Sequence, residues 1–104
     1  MTSATTADTN VAVGKDAGLV VTTGGINSLV GLQAGGNIST GSNNVCIGAY
    51  TGSYDGTDLT TGGGNALIGS YNKVAGAGDS YTSVLGYYVT GAASTTTLGH
   101  ATTD

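Results

Sequence analysis

Proline, phenylalanine, tryptophan, glutamate and arginine are all absent from this 104-residue chain. Charged residues make up only 8% of the sequence, whereas glycine occupies 20 positions. Each glycine inside a helix costs about 1 kcal/mol relative to alanine, and Glu and Arg are good helix formers. The composition therefore predicts an all-β protein. Low charge and regularly placed Val and Ile also argue against disorder.

The shortage of cations limits the classes of partner. Lys15 and Lys73 are the only Lys or Arg residues, and the net charge is -4. Nucleic-acid binding needs clustered cations, so we expect no nucleic-acid partner. No apolar run approaches the ~20 residues of a spanning helix, and residues 1–10 do not resemble a signal peptide, so we expect no membrane insertion. Cys46 is the single cysteine, which excludes an intrachain disulfide and fits assembly in a reducing compartment.

The chain does contain a repeat of the form Asn-x-x-aliphatic-Gly. It occurs in full at residues 10–14, 27–31, 44–48 and 65–69, and more weakly at residues 82–86 and 95–99. The closing glycines are separated by 17, 17, 21, 17 and 13 residues. A fixed period of this size is typical of a solenoid.

A second apolar patch with its own glycine follows each repeat unit. It occurs at residues 21–24, 38–41 and 59–62. The glycines supply turn conformations with positive φ. We therefore predict about six coils, each with two short strands and two tight turns. Residues 10–104 would form this repeat domain, and residues 1–9 a flexible polar leader or anchoring arm.

Two adjacent positions of the repeat are apolar. The fourth position holds Val13, Val30, Ile47, Ile68, Leu85 and Leu98, and the third holds Ala12, Leu29, Cys46, Leu67, Val84 and Thr97. Strands buried on both faces have continuous apolar runs. A thin coil has only one interior, so the second face needs a cover, and small domains often rely on oligomerisation. The pattern predicts a homo-oligomer, without saying which face lies inside the coil.

The units at residues 27–31 and 44–48 resemble the head repeats of trimeric autotransporter adhesins. Their alternation with Thr-Thr-Gly-Gly (22–25) and Ser-Thr-Gly-Ser (39–42) resembles the shaft repeats of phage tail fibres and other virion fibres still more. The resemblance covers residues 10–100. It implies a left-handed parallel β-roll with three chains packed about a common axis. The predicted trimer core is Val13, Val30, Cys46, Ile47, Leu67, Ile68, Val84 and Leu85.

The same resemblance implies a non-enzymatic virion structural or attachment protein, either a capsid decoration protein or a short trimeric fibre. A chain that begins with Met and contains only the roll suits a small decoration or head-fibre protein. It would assemble in the host cytoplasm and lie on the virion surface. Its partners would be two further copies, other virion proteins and a host surface glycan.

Two alternatives stay open. The first is the head segment of a bacterial trimeric autotransporter adhesin, located on the bacterial cell surface. A longer precursor with a signal sequence and a membrane anchor would favour it. The second is an ice-binding solenoid, suggested by the threonines at residues 22–23, 60–61 and 95–97, although their spacing is unequal.

Residues that could carry chemistry are few, so we predict no catalytic residue, no cofactor and no metal. His100 is the only histidine and lies in the last repeat. Residues 14–16 lack the leading Gly and the hydroxyl of a phosphate-binding loop. Residues 76–79 resemble a calcium-binding β-roll repeat, but only once. Asn10, Asn27, Asn44 and Asn65 recur at one position and should stack as a ladder that satisfies turn backbone.

All six tyrosines follow residue 49. Tyr50, Tyr71 and Tyr88 each lie two places after a motif glycine, so consecutive coils should bring them into one axial row, ~4.8 Å apart. We predict that this row contacts a partner, with Tyr54 and Asp55 of a four-residue insertion in the third coil beside it. The alternative is that the rings pack between coils or subunits.

Overall fold

The structure is a computed structural model that describes residues 8–100, and it contains eight β-strands and no helix within that range. The strands are β1 Val11–Val13, β2 Ser28–Val30, β3 Val45–Ile47, β4 Ala66–Ile68, β5 Lys73–Val74, β6 Ser83–Tyr87, β7 Thr90–Gly91 and β8 Thr96–His100. Six of them form one parallel sheet in the order β1-β2-β3-β4-β6-β8, and β5 pairs with β7 in a smaller parallel sheet. The predicted all-β solenoid is confirmed, with about five turns.

Equivalent positions of the repeat pair with each other along the whole sheet. Leu29 lies opposite Cys46, Cys46 opposite Leu67, and Leu67 opposite Val84. Because side chains alternate across a strand, this third position points into the coil and the fourth points out. The core contains Ala17, Val21, Leu29, Ala34, Ile38, Cys46, Leu59, Leu67, Val74, Val84 and Val89.

The second apolar patch of each period does not form the strand that we predicted. The N–H groups of Thr22, Thr23 and Gly24 all donate to the Ser39 carbonyl oxygen, at 2.9, 3.4 and 3.3 Å. Three consecutive donors can share one acceptor only where the chain turns. The one-to-one pairing of a β-ladder therefore stops there. Stacking is nevertheless kept, since the N–H of Ser39 donates to the Thr60 carbonyl at 2.9 Å.

The four extra residues of the third coil form a surface loop. In the first two coils, Val21 N donates to Gly18 O and Ile38 N to Gly35 O, each three residues back. In the third coil, the N–H of Leu59 donates at 2.9 Å to the carbonyl of Gly52, seven residues back. Leu59 therefore occupies the same place in the core as Val21 and Ile38, and the residues between are extruded.

The first coil begins earlier than the repeat does. The backbone N–H of Ile26 donates to the carbonyl oxygen of Asp8 at 3.0 Å, so Asp8 already stacks on the next coil. Residues 8 and 9 thus belong to the solenoid. The remainder of the predicted leader, residues 1–7, lies outside the described residues.

The motif glycines allow the coils to approach closely. At Gly48 and Gly69, φ is +125° and +120°, a conformation that side chains rarely adopt. A Cβ atom on Gly48 would overlap the carbonyl oxygen of Gly69, and one on Gly69 would overlap that of Gly86. Glycine is required at this position because the backbone of the following coil occupies the space.

The motif asparagines form the predicted ladder inside the structure. The Oδ1 atom of Asn44 accepts the backbone N–H of Asn65 at 3.0 Å, and its Nδ2 donates to the Gly62 carbonyl at 3.0 Å. The N–H of Asn44 donates in turn to Oδ1 of Asn27, at 3.0 Å. Each side chain therefore satisfies a buried donor and a buried acceptor that the turning backbone leaves unpaired.

We predict that Asn44→Ala strongly destabilises the protein. The change leaves the Asn65 N–H and the Gly62 carbonyl unpaired, and each such buried group costs about 1–3 kcal/mol, which gives about 2–6 kcal/mol in the free energy of unfolding. Urea denaturation measures it. The control is Asn43→Gly, because the exposed Asn43 has φ +61° and glycine tolerates that conformation. Equal loss in both variants would refute the ladder's role.

Candidate functional site

The outer face of the six-stranded sheet carries a continuous apolar row, which we call the outer stripe. It consists of Val13, Val30, Ile47, Ile68, Leu85 and Leu98. These side chains are between 38% and 63% exposed. Strand pairing fixes their register, since Val30, Ile47, Ile68 and Leu85 are successive partners in the sheet. The stripe is a large exposed apolar surface on a rigid backbone.

The residues that we predicted as the trimer core divide into two groups. Cys46, Leu67 and Val84 lie inside the coil, where at most 2% of each residue is exposed. They therefore form part of the core of the single chain. Val13, Val30, Ile47, Ile68 and Leu85 belong to the outer stripe and remain accessible to another chain.

The predicted row of tyrosines is present, and its backbone spacing is set by hydrogen bonds between coils. Tyr71 N donates to the carbonyl of Ala49 at 2.9 Å, and Tyr88 N to that of Ser70 at 3.1 Å. The ring of Tyr71 stacks on Tyr50 with centroids 5.3 Å apart, and on Tyr88 with centroids 4.8 Å apart. Interplanar angles of 14° and 9° show nearly parallel rings.

The loop of the third coil folds onto this row. The ring of Tyr54 meets Tyr71 and Tyr88 edge-on, with centroids 5.0 and 5.4 Å away. Tyr87 meets Tyr71 edge-on at 5.9 Å. We call these five rings, Tyr50, Tyr54, Tyr71, Tyr87 and Tyr88, the tyrosine cluster. Beside it, the carboxylate of Asp55 lies 3.5 Å from the Lys73 ammonium.

Three tyrosines of the cluster have left-handed backbone conformations. Their φ angles are +56°, +59° and +59° at Tyr50, Tyr71 and Tyr88. This conformation costs a residue with a Cβ roughly 1–2 kcal/mol. Ring stacking offsets part of that cost, at about 0.5–1.5 kcal/mol per pair. The rings thus stabilise one another, and the two faces of the central ring, Tyr71, are occupied.

The Tyr54 and Tyr88 hydroxyls lie 3.2 Å apart at the exposed edge of the cluster. The hydrogen bond with Tyr54 is the main cause that raises the pKa of Tyr88 above its ordinary value, and desolvation and the nearby Asp55 carboxylate act in the same direction. Hydroxyls and ring edges are therefore the chemical groups that the cluster presents outward.

A groove lies on another part of the coil surface, and we call it the Tyr81 groove. Its volume is about 430 Å³, and it is lined by Thr40, Ser42, Asn43, Thr61, Gly63, Gly64, Ser80 and Tyr81. Every polar lining side chain is a hydroxyl or an amide. The Tyr81 side chain is 74% exposed and lies over Gly64, where an added Cβ would be 3.0 Å from the ring.

Cys46 and Asp79, which were considered for a chemical role, serve the fold instead. Burial raises the pKa of the Cys46 thiol to about 12, so the reactive thiolate is suppressed. The Asp79 carboxylate accepts the backbone N–H of Gly76 at 2.8 Å and so closes a turn. His100 ends strand β8, and its side chain lies outside the described residues. Within residues 8–100, no three His, Cys, Asp or Glu side chains are grouped as metal ligands.

Three residues of the surface and core, Asn72, Tyr87 and Tyr81, were not identified from the sequence. Asn72 stands outside the motif, yet its Nδ2 donates to the carbonyls of Ile68 and Gly86 at 2.8 and 2.9 Å. Tyr87 belongs to the cluster although it lies one residue before the repeat position that Tyr88 occupies. Tyr81 lies just before the motif, at a place where every described coil has positive φ. Tabulating the residue before each motif start would have singled out Tyr81 as the only aromatic there.

We predict that Tyr71→Ser lowers the free energy of unfolding by at least about 2 kcal/mol, because four ring contacts are lost. Tyr81→Ser is the control: its φ of +58° matches the +59° of Tyr71, but its ring is exposed. We expect that change to stay within about 0.5 kcal/mol. Chemical denaturation of both variants measures the difference, and equal effects would contradict the packing of the cluster.

The raised pKa of Tyr88 predicts an alkaline loss of the hydroxyl contact. A group that the folded state keeps protonated contributes stability below its unfolded pKa, ~10 for tyrosine, and loses it as the pH rises further. We expect Tyr54→Phe to lower the pKa of Tyr88, measured by the ultraviolet absorbance of tyrosinate. Tyr81→Phe removes a phenol outside the cluster and should leave that late-titrating group in place. An unchanged late titration in Tyr54→Phe would contradict the assigned cause.

Comparisons with protein-family models, with curated proteins and with solved structures found no match to this chain. Within residues 8–100, the structure has no helix with the length and apolar character needed to cross a bilayer. The outer stripe, the tyrosine cluster and the Tyr81 groove are therefore the features from which function is inferred.

Proposed function

We propose that the protein is a homotrimeric, non-enzymatic structural and attachment protein of a virion, either a capsid decoration protein or a short fibre. The observation that carries this proposal is the outer stripe, six apolar side chains in register on one exposed sheet face. Exposed apolar patches of this kind mark protein interaction sites.

Copies of the same chain fit the outer stripe better than an unrelated partner does. The stripe repeats with the spacing of the sheet, and a second solenoid presents apolar groups with the same spacing. One stripe on each chain suits a closed cyclic arrangement in which all stripes face a common axis. Three chains is the number that the resemblance to virion fibres and trimeric adhesins implies.

The tyrosine cluster is proposed as the contact with a neighbouring virion protein. Its stacked faces are occupied, so the outward groups are ring edges, hydroxyls and the ion pair between Lys73 and Asp55. Tyrosine is enriched at protein interfaces because it combines apolar area with a polar tip. A host glycan, the other partner considered, would need a free ring face for stacking, which Tyr71 does not offer.

Two of the threonines behind the ice-binding alternative use their hydroxyls within the coil. The hydroxyl of Thr22 lies 3.2 Å from the Ser39 carbonyl, and that of Thr60 lies 3.3 Å from the Ala77 carbonyl. The adhesin alternative shares the fold and the stripe. It differs from the proposal only in location.

We predict that Ile68→Asp abolishes trimer formation but leaves a folded chain. Ile68 is 40% exposed in the single chain, so the carboxylate remains hydrated there, whereas a trimer interface would desolvate it. The neighbouring Leu67→Asp is the contrast, because Leu67 is 0% exposed and an unpaired charge there should unfold the coil. Light scattering gives the mass, and circular dichroism the fold.

A monomeric unmutated protein, or a trimer that survives Ile68→Asp, would contradict the proposed assembly. Location needs a separate experiment, in which antibody against the chain is applied to intact virus particles and to bacterial cells. Labelled particles are expected. Labelling of the bacterial surface without particles would favour the adhesin alternative.

A further inference from the structure

We infer that the Tyr81 groove is a binding site for a neutral saccharide, in which a sugar ring stacks on Tyr81 and its hydroxyls bond the groove lining. The inference rests on the attachment role in the proposed function and names its ligand class. It assigns that role to a surface different from the tyrosine cluster.

Tyr81 is the most exposed of the six tyrosines. Its side chain is 74% exposed, and it makes no ring–ring contact with another described residue. Tyr71, by comparison, has Tyr50 on one face and Tyr88 on the other. A sugar stacks through its apolar C–H face on an aromatic face, and Tyr81 offers more exposed ring surface for this than Tyr71 does.

The backbone at Tyr81 is costly for a tyrosine. The equivalent residues of earlier coils include Asn43, with φ +61°, and Gly64, with φ +73°, as well as Ile26, with φ +59°. Asn and Gly adopt this conformation most readily, whereas tyrosine at φ +58° costs roughly 1–2 kcal/mol. Neither burial nor ring stacking offsets that cost at Tyr81.

The groove lining has the chemistry of a neutral polyol site. Thr40 and Thr61 contribute hydroxyls, and Asn43 contributes an amide. The Ser42 hydroxyl is held in place because its oxygen accepts the N–H of Gly25 at 3.1 Å, which leaves its proton for a ligand oxygen. No charged side chain lines the groove, so a phosphate, a sulfate or an acidic sugar would find no cation.

Gly64 positions the ring beside the groove. It lies between Asn43 and Tyr81 in the column of equivalent residues, and because it has no side chain the Tyr81 ring can lie over it, where an added Cβ would be 3.0 Å from the ring. The groove volume of about 430 Å³ lies within the ~300–1,000 Å³ that is usual for small-molecule sites. In a trimer, three grooves would act together on a surface that carries many glycans, and weak single sites would gain avidity.

The test measures retention of the purified full chain on an array of immobilised neutral oligosaccharides, with acidic oligosaccharides on the same array. We expect the unmutated protein to be retained by neutral members. Tyr81→Ser should reduce retention about tenfold or more, through loss of the ring at each copy. Tyr81→Phe should keep it, because the ring face remains. Thr61→Val should weaken it, while Thr23→Val, at the same repeat position outside the groove, should not.

Three results would overturn the inference: no retention of the unmutated protein by neutral oligosaccharides, retention by acidic members alone, or equal retention of Tyr81→Ser. Mass and melting temperature are measured on the same samples, so that loss of folding is not mistaken for loss of binding. A Tyr81→Ser variant that no longer forms trimers would show that the ring is an interface residue and would likewise overturn the site. If the protein is a monomer but still binds oligosaccharides through Tyr81, the result contradicts the proposed trimer and leaves the proposed binding site intact.

Discussion

An asparagine in each of the first four coils holds the next coil in register, and three of the four are buried. The Asn27, Asn44 and Asn65 amides each accept a backbone N–H of the following coil and donate to a carbonyl of the turn that closes their own. The glycine column permits this spacing, because any side chain at Gly48 would overlap the next coil. Without these two constraints the coils could slip, and side chains would change faces.

Because the coils stack in strict register, a residue type that recurs at one repeat position forms a continuous surface. An aliphatic fourth position becomes the outer stripe because every coil presents it at the same place in the sheet. A tyrosine two residues after the motif glycine becomes a stack, with centroids 4.8 Å apart between Tyr71 and Tyr88. A single glycine in a column makes room for a neighbouring ring, as at Gly64, over which Tyr81 lies. Simple changes at one repeat position therefore create distinct surfaces without altering the fold.

The tyrosine cluster and the Tyr81 groove show how one residue type can serve two purposes. In both places the backbone is left-handed, with φ near +58° to +59° at Tyr71, Tyr81 and Tyr88. The cluster offsets part of the conformational cost by ring contacts, so its rings stabilise the solenoid. Tyr81 has no such compensation, and its exposed face is available to a ligand.

The sequence alone determined the repeat, the all-β solenoid, the asparagine ladder and the tyrosine row, because each follows from composition and spacing between equivalent positions. It did not determine which apolar position faces inward. Cys46 and Ile47 are both apolar, and only the path of the coil places Cys46 in the core and Ile47 outside. Contacts of the inserted loop, such as Tyr54 with Tyr88, join residues at unlike repeat positions, and their proximity depends on loop direction. The Tyr81 groove is lined by neighbouring positions of consecutive coils, but whether the turn there leaves a groove depends on backbone geometry. Only the tertiary structure decided both.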